Sequence, residues 1–408
     1  MHRIDLPERP DWRHQAEKLG FLFHTMHGEP YWDETSAYAF SLEQIERDIE
    51  EPAARLHRLC LEAVAEVATS EELMARLGVP GPLMDYVRAS WERAEPSLYG
   101  RFDLSYDGAA PPKLLEYNAD TPTSLYEAAA FQWLWLEQLV AQGQLPPGAD
   151  QFNGLHEALV ARFRALFRAG ENVHFASVEG SAEDFATVEY LAWTANEAGL
   201  VPHHTPVEKI ALTRDGHLAD DADRVIGTLF KLYPWEDMLR DDFASALPGC
   251  GCRLVEPPWK ALASNKGLLP VLWRMFEGDP NLLPAFFVDE LEAGGPRVER
   301  ARAALERGHV EKPIFSREGA SIRIVENGVE IAASTRRDYD AHDRIVQAYA
   351  ALPVYGRSRA VVGAWIVGDA CVGMGLREDD DLITQDLSRF KPHVILPEPQ
   401  PLYAHMLA

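Results

Sequence analysis

The spacing of apolar residues predicts that residues 9–98 are mostly helical. Ser41 and Gln44 have the spacing of a capping box, in which each side chain bonds the backbone N–H of the other residue at a helix start. Apolar residues then recur every three or four positions, as one face of a helix requires; they are Leu42, Ile45, Ile49, Leu56, Leu59 and Val67. We expect Pro52 to break or kink this helix. A second helix is predicted over 82–95, ending before Pro96.

The first 32 residues are rich in aromatic side chains, which permits two interpretations. Such residues could form a substrate cradle, but aromatic side chains more often pack in a core. We therefore interpret them as packing residues; they are Trp12, Phe21, Phe23, Tyr31 and Trp32.

Two short runs, 99–106 and 113–118, flank a turn-rich stretch and predict a β-hairpin. A turn at 121–124 then caps a helix that begins near Leu125. This helix is apolar on nearly all sides, which predicts that it is buried; its apolar residues are Phe131, Trp133, Leu134, Trp135 and Leu139.

Helical and strand patterns alternate from residue 151 to 253, which predicts a mostly parallel sheet. The predicted helices are 152–169 and 182–198, and the predicted strands are 174–178, 210–212 and 225–229. A linker is predicted at 143–150.

The last third of the chain predicts a helix at 266–276 and then a β-rich, antiparallel region. Asn327-Gly328 between two strand-like runs is a strong signal for a tight hairpin turn. The predicted strands are 309–315, 321–325, 345–349, 360–367 and 370–375.

Composition narrows the class of protein. The 408 residues are 47% hydrophobic, which suffices for a large core in two or three lobes, and the net charge is -25. A surface this acidic argues against nonspecific nucleic-acid binding. It is mild evidence for a cationic or amine-bearing substrate, although solubility alone is the stronger explanation. The N-terminus lacks a signal-peptide pattern, and no run of about 18 apolar residues predicts a membrane span. Four cysteines in a chain of this length predict free thiols in a cytoplasmic protein.

Oxygen-bearing side chains in the predicted hairpin suggest a metal site. Glu116 and Asn118 are two residues apart, so on a strand they share one face, and Asp103 on the partner strand can reach the same side. Carboxylate and amide oxygens suit Mg²⁺. By spacing alone, a hairpin with a polar rim is the more common explanation of these residues.

Two lysines at element ends suggest a site for a nucleotide triphosphate. Lys312 leaves a predicted strand before the small loop 316–320, whose amides can also donate to phosphate, and Lys266 opens a helix. The sequence around them is not a P-loop. Gln347 on an apolar strand could bond an adenine edge, and Arg377 could neutralise a transferred phosphoryl group.

Four motifs together resemble the synthetase domain of the glutathionylspermidine synthases. They are Leu114-Leu-Glu-Tyr-Asn-Ala-Asp-Thr-Pro-Thr-Ser124, Asn265-Lys-Gly-Leu-Leu-Pro-Val-Leu-Trp273, Glu311-Lys-Pro-Ile314 and Leu376-Arg-Glu-Asp379. The resemblance runs in order from about Trp12 to the end. It implies an α+β or α/β fold: a circularly permuted ATP-grasp synthetase with a helical N-terminal part and an α/β substrate-side lobe. The expected division is 1–150 (helical part and metal hairpin), 151–253 (α/β lobe) and 254–408 (nucleotide-binding part).

The resemblance also implies roles for individual residues. Those that match family positions are the Mg²⁺ ligands Asp103, Glu116 and Asn118, the catalytic Arg101 and Arg377, the ATP-binding Lys266, Lys312 and Gln347, and the peptide-proximal Thr121 and Thr123. Glu183 and Asp184 align with an acidic substrate-binding pair. Three departures concern the substrates: Leu232 stands in place of a polar contact residue, Asp386 lies near a position that is basic in some members, and 338–342 is not Gly-rich. The amidase domain of the bifunctional members is not expected here.

The implied activity is an ATP- and Mg²⁺-dependent, ADP-forming ligation of an acid to an amine, with a glutathione-type peptide and a polyamine as the expected pair. Two alternatives stay open: a ligase for another acid and amine, and a non-catalytic nucleotide-binding scaffold with a synthetase fold. Expected partners are small molecules, without nucleic acid or membrane, and a homodimer is possible.

Overall fold

The computed structural model describes residues 1–397, which fold as a mixed α/β protein. The α-helices of this part of the chain are α1 (Trp12–Lys18), α2 (Glu51–Ala68), α3 (Glu71–Arg76), α4 (Met84–Glu92), α5 (Gln132–Ala141), α6 (Leu155–Leu166), α7 (Ala182–Glu197), α8 (Trp235–Met238), α9 (Lys260–Ala263), α10 (Leu268–Met275), α11 (Val288–Ala293) and α12 (Pro296–Arg307). Wider π-turns precede two of them, at Gln44–Glu50 and Glu127–Phe131, and 3₁₀ turns are found at Gly81–Leu83, Val207–Lys209 and Ala244–Gly249.

The strands of the described residues form several sheets. They are β1 (His2–Asp5), β2 (Thr25–Met26), β3 (Glu29–Pro30), β4 (Ser36–Phe40), β5 (Tyr99–Ser105), β6 (Lys113–Asn118), β7 (Asn172–Ser177), β8 (Val201–His204), β9 (Ala211–Leu212), β10 (Leu218–Ala219), β11 (Thr228–Leu232), β12 (Arg253–Val255), β13 (Ala285–Phe287), β14 (Gly308–Pro313), β15 (Arg323–Glu326), β16 (Val329–Ala333), β17 (Arg344–Ala348), β18 (Val354–Tyr355), β19 (Ser358–Val367), β20 (Ala370–Asp379), β21 (Arg389–Lys391) and β22 (His393–Ile395).

The predicted hairpin at 99–118 is confirmed and lies inside a larger sheet. β5 and β6 pair antiparallel, with Arg101 opposite Asn118 and Asp103 opposite Glu116. On its other side β5 pairs with β19, which places Gly363 opposite Asp103. The strand order is β21-β20-β19-β5-β6, and β18 pairs with β19 as the sixth strand of this sheet. The sheet therefore combines residues from the first third and the last quarter of the chain.

The mostly parallel sheet predicted for the middle of the chain is also confirmed, but the predicted strand 210–212 is not part of it, because β9 pairs antiparallel with β10 in a separate two-stranded sheet. The order of the parallel sheet is β12-β11-β7-β8, and each neighbouring pair is parallel. The prediction missed β8, a short strand of Val-Pro-His-His whose polar composition carries little strand signal. The predicted strand at 225–229 was placed too early, because the observed strand runs over Thr228–Leu232.

Of the antiparallel strands predicted near the C-terminus, 309–315, 321–325 and 345–349 correspond to β14, β15 and β17 of a five-stranded sheet in the order β13-β17-β14-β15-β16. The predicted strands 360–367 and 370–375 correspond instead to β19 and β20, which belong to the sheet of the hairpin. Asn327 and Gly328 join β15 to β16 with φ angles of 49° and 77°, as a type I′ turn requires. The sequence prediction left 296–307 unassigned, but these residues form α12, which starts at Pro296 after two glycines.

The assignment of a tight turn at Asn327-Gly328 can be tested by mutation. We expect Gly328→Ala to lower the free energy of unfolding by about 1–2 kcal/mol, because an L-residue is strained at this positive φ. Urea denaturation measures the loss. Gly81→Ala is the control, since a Cβ added at Gly81 would also have open space around it, but Gly81 lacks a positive φ. Equal stability of the two variants would contradict the assignment of this turn.

The N-terminal predictions are confirmed in part. Most of 44–92 is helical as predicted, but the stretch between α1 and residue 44 holds β2, β3 and β4 instead of helix. Ser41 and Gln44 form the reciprocal capping-box bonds, each at 3.2 Å. Pro52 does not break the helix, because it lies in the first turn of α2, where proline is tolerated. The early aromatic residues are buried in the core, as predicted. The helix of 127–141 is not buried on all sides, since Trp133 is 39% exposed.

The sequence also predicted the state of the cysteines and the lack of a membrane span. The four cysteines are free thiols, as predicted. None of the helices in this range is long and apolar enough to cross a membrane.

Candidate active site

The hairpin and the two distant lysines meet in one cleft of about 320 Å³. Asp103, Glu116 and Asn118 line it from β5 and β6. Lys266, just before α10, and Lys312, on β14, line the same space. The topology therefore brings together side chains that are up to about 200 residues apart in the sequence.

Glu116 lies between the two lysines. Its Oε2 is 2.9 Å from Nζ of Lys266, and its Oε1 accepts a hydrogen bond of 3.2 Å from Asn118. Burial by itself would raise the pKa of Glu116, but the positive charges of Lys266 and Lys312 hold this pKa well below its ordinary value. Glu116 is therefore ionised at any physiological pH.

Lys312 is held at the wall of the cleft by two acceptors. Its Nζ donates to the carbonyl of Leu115 at 3.0 Å and to Oε1 of Gln347 at 2.8 Å. Burial lowers the pKa of Lys312 to about 8, although the charge of Glu116 opposes this shift. The amide of Gln347 also donates to the carbonyl of Leu114, so in this structure it orients Lys312, and its contact with adenine stays a prediction.

Two arginines bracket Asp103. Arg101 donates to both carboxylate oxygens of Asp103, at 2.7 and 3.2 Å, and Arg377 donates to one of them at 2.8 Å. Arg101 and Asp103 are both buried, so their charges interact in a poorly screened environment. Asn118 also donates to Asp103, at 3.3 Å, which connects the two carboxylates of the hairpin.

The loop after β6 is fixed by side chains from three other elements. Thr121 Oγ1 accepts from Arg317 at 3.0 Å, and the carbonyl of Thr123 accepts from Arg101 at 2.7 Å. Asp120, at the start of this loop, forms a buried ion pair of 2.7 Å with Lys231 of β11. The loop that carries the two predicted substrate threonines is thus held firmly against the cleft.

The predicted acidic pair lies at the start of α7 and lines the cleft. The backbone N–H of Asp184 donates to Ser181 at 3.2 Å, which closes the helix N-terminus. Burial raises the pKa of Glu183 to about 7, with an added contribution from Asp184, while a hydrogen bond from Thr123 opposes the shift. Burial also raises the pKa of Asp184.

The residues of the hairpin fit a hard cation. Two carboxylates and one amide offer oxygen donors on one face, and Mg²⁺ is usually bound by few protein ligands together with water and phosphate oxygens. Within residues 1–397 no group of three or more His, Cys, Asp or Glu could hold a metal ion, so this mixed set is the candidate. Asn118 donates through its nitrogen here, and a cation would instead bind its amide oxygen.

The cleft also fits a nucleotide. Lys266 and Lys312 supply positive charge at its centre, next to the loop 316–320. Apolar side chains line another part, as a base requires; they include Leu268, Leu269, Leu272, Val310, Ile322, Ile324, Leu352 and Val361.

Sequence reasoning missed two features of this site. Arg317 lies in the loop that was predicted to contact phosphate, yet it was not singled out; it bonds Thr121 and is 3.3 Å from Glu236. Leu232, which stands in place of a polar contact residue of the family, is 4% exposed and packs in the core. The sequence did offer a signal for Arg317, because it is an arginine inside a Gly-containing loop. The burial of Leu232 becomes visible only in the fold.

The chain is similar to known proteins over nearly its whole length. The family model described as "Glutathionylspermidine synthase preATP-grasp" matches residues 3–396. The chain is 37% identical to the "Putative acid--amine ligase" of Haemophilus influenzae, over 96% of this chain and 98% of that protein. It is 28% identical to the trypanothione synthetase of Crithidia fasciculata over 81% of this chain, but it spans about half of that relative, 52% of its length.

One solved structure supports the fold assignment. A glutathione synthetase-like effector from Globodera pallida superposes with a TM-score of 0.54, covering 88% of this chain and 89% of the effector. The two sequences are 10% identical, so this likeness concerns the fold alone.

Proposed function

Because the chain belongs to the glutathionylspermidine synthase family of ATP-dependent amide-bond ligases, we propose that it joins a glutathione-type peptide to a polyamine or a similar amine. The observation that carries this proposal is the shared cleft. Oxygen ligands from β5 and β6 face Lys266 and Lys312 across it, as a site for a metal-bound triphosphate requires.

The proposed reaction has two steps. The carboxylate of the acid attacks the γ-phosphorus of ATP, which yields an acyl phosphate and ADP, and the amine then displaces phosphate to form the amide. The first step brings two anions together, so its main requirement is positive charge. No side-chain nucleophile takes part.

Different residues of the cleft bind the phosphates, the reacting groups, the metal ion and the substrates. Lys266 and Lys312 bind the phosphates, and Arg101 with Arg377 holds the reacting carboxylate and the phosphoryl group in transfer. Asp103, Glu116 and Asn118 would hold Mg²⁺, which when bound supplies further neutralisation of phosphate charge. Thr121 and Thr123 contact the peptide, and Glu183 and Asp184 attract the amine.

The proposal includes a more specific fold assignment. The core is a circularly permuted ATP-grasp unit, because the metal hairpin precedes both lysines in the sequence. The likeness to a glutathione synthetase-like fold supports an ATP-grasp assignment. The three-part division, the cytoplasmic location and the homodimer stay predictions.

A binding and turnover experiment tests the function. Titration calorimetry with Mg-ATP is followed by an ADP-release assay over a panel of thiol peptides crossed with polyamines and other amines. We expect binding, and release of ADP that depends on both an acid and an amine. Binding without turnover across the panel would favour a nucleotide-binding scaffold, and turnover with another pair would favour a different acid–amine ligase.

The charge of Lys312 makes a prediction about pH. We expect the affinity for ATP to fall as the pH rises through about 8, because Lys312 then loses the proton that attracts phosphate. A single proton limits this fall to about tenfold per pH unit. Calorimetry at several pH values measures it, and Lys312→Arg is the control, since arginine keeps its charge. The same pH dependence in both proteins would contradict the assignment of Lys312.

A further inference from the structure

A glycine lies beneath Arg101 in the wall of the cleft. Gly363 is on β19, opposite Asp103 of β5 on one side and opposite Gly375 of β20 on the other. Opposed residues of neighbouring strands project to the same face of a sheet, so Gly363 belongs to the face from which Asp103 projects into the cleft. At this position β19 offers only backbone to that face.

The side chain of Arg101 fills the space that Gly363 leaves open. A Cβ added at Gly363 would lie 2.9 Å from Cδ of Arg101 and 3.4 Å from its Nε. Non-bonded carbon atoms pack at about 3.5–4.0 Å, so Cδ would have to move away by about 0.6 Å or more. Every residue other than glycine carries this Cβ, so only glycine at position 363 permits the observed position of Arg101.

Arg101 is held in this position on several sides. Its Nε, which is bonded directly to Cδ, donates to Oδ1 of Asp103 at 2.7 Å. Its other two nitrogens donate to Oδ2 of Asp103 at 3.2 Å and to the carbonyl of Thr123 at 2.7 Å. The guanidinium carbon lies 5.7 Å from the ring centroid of Trp365. A shift of Cδ therefore carries Nε with it and weakens the bond from Nε to Asp103.

The strand has less freedom to move than the arginine. β19 is paired with β5 on one side and with β20 on the other, and Gly363 lies in the middle of both pairings. Ladder hydrogen bonds on both edges fix the backbone of such a strand. The backbone oxygen of Gly375, 3.4 Å from the added Cβ, is its next neighbour. A side chain at position 363 therefore displaces Arg101 rather than the sheet.

We propose that Gly363 is a positioning residue of the ligation site, because its missing side chain lets Arg101 aim the guanidinium at Asp103 and at the reacting groups. This inference rests on the proposed function, in which Arg101 binds the reacting carboxylate and the phosphoryl group, and it deepens that function. The atoms nearest to the added Cβ belong to Arg101 and Gly375. Lys266 and Lys312 are not among them, so the binding of nucleotide by the lysines does not depend on Gly363.

Crystal structures of the wild type and of Gly363→Ala test the position of Arg101 without any substrate. We expect Cδ of Arg101 to move by about 0.6 Å or more and Nε to lose its bond to Asp103. Gly373→Ala is the matched control, since Gly373 is on β20 of the same sheet and a Cβ there would lie 2.9 Å from Cγ of Leu155. The control should leave the bonds of Arg101 in place. An Arg101 that stays in place in Gly363→Ala would overturn the proposal.

Stability provides a second arm, which also covers a Gly363→Ala variant that does not fold. Arg101→Ala removes the atoms that the new Cβ meets first, so Gly363→Ala should be tolerated better in this background. We expect the shift of the urea midpoint that Gly363→Ala causes to fall to about half or less. The same shift in both backgrounds would overturn the proposal. If Gly363→Ala alone does not fold, the double variant should fold, and its failure to do so would contradict the proposal.

Activity provides the third arm, with the acid–amine pair that gives the fastest ADP release in the panel. Gly363→Ala should lower kcat about tenfold or more, because a misplaced positioning group costs rate. The KM for Mg-ATP should change less than about twofold, since the two lysines keep their places. In the Arg101→Ala background the same substitution should change kcat less than about twofold, because the arginine that it displaces is gone.

An equal loss of kcat in the two backgrounds would overturn the role of Gly363 as a positioning residue for Arg101. If no acid–amine pair is turned over by the wild type, the proposed function fails. The crystal structures and the stability measurements then still decide whether Gly363 sets the position of Arg101.

Discussion

Glu116→Ala is expected to reduce ADP release by a hundredfold or more while the protein stays folded. Glu116 is the carboxylate that faces both Lys266 and Lys312 in the cleft, and the proposed Mg²⁺ would bind on the same face of the hairpin. Losing one charged contact of this kind in a transition state costs about 3 kcal/mol, which corresponds to this factor in rate. A coupled ADP assay measures the loss, and urea denaturation checks that unfolding stays cooperative.

The matched control is Glu326→Ala, which removes an exposed carboxylate at the end of β15. We expect this variant to keep full activity. Asn118→Ala should resemble Glu116→Ala, because Asn118 joins the two carboxylates of the hairpin. Normal turnover in Glu116→Ala and Asn118→Ala would remove the metal-site assignment.

Lys231→Met is expected to cause the largest loss of stability, about 3–5 kcal/mol. Lys231 is 1% exposed, and its Nζ donates to Asp120 at 2.7 Å and to the carbonyl of Tyr233 at 2.8 Å. Removing the ammonium group leaves the carboxylate of Asp120 buried without a cation, with the N–H of Trp235 as its remaining donor. Urea denaturation at pH 7 measures the effect.

The double variant Lys231→Met with Asp120→Asn distinguishes the effect of an unpaired charge from the effect of lost packing. Because it removes both charges, it should recover a large part of the stability lost in Lys231→Met. Lys209→Met removes an exposed lysine and should change stability by less than about 0.5 kcal/mol. If the double variant were as unstable as Lys231→Met, the loss would come from packing rather than from an unpaired charge.

Local sequence signals predicted much of the fold. The capping box at Ser41 and Gln44, the turn at Asn327-Gly328 and the hairpin of β5 and β6 each depend on residues close together in the chain. The two-residue spacing of the oxygen-bearing side chains on β6 also placed Glu116 and Asn118 on one face of the hairpin. Short-range geometry determines such features, so the sequence predicts them well.

Features that depend on long-range contacts could not be predicted in this way. The pairing of Lys231 with Asp120 and the position of Arg317 beside Thr121 arise when separate elements pack together. The burial of Glu127 has the same origin, since nothing in the residues around it distinguishes it from a surface glutamate on a helix. The resemblance to a known family supplied the expectation that the hairpin and the lysines meet, and the topology of the six-stranded sheet explains how they do.

That sheet has a consequence for how the molecule assembles. β5 is paired with β19, whose residues lie more than 250 positions later, so β5 lacks one of its two neighbours until most of the chain has left the ribosome. Contacts of such high separation slow folding and leave strand edges open in the meantime. We expect nascent chains that stop before residue 358 to expose β5 as an unpaired edge and to depend on chaperones, whereas the parallel sheet of the middle region can form earlier.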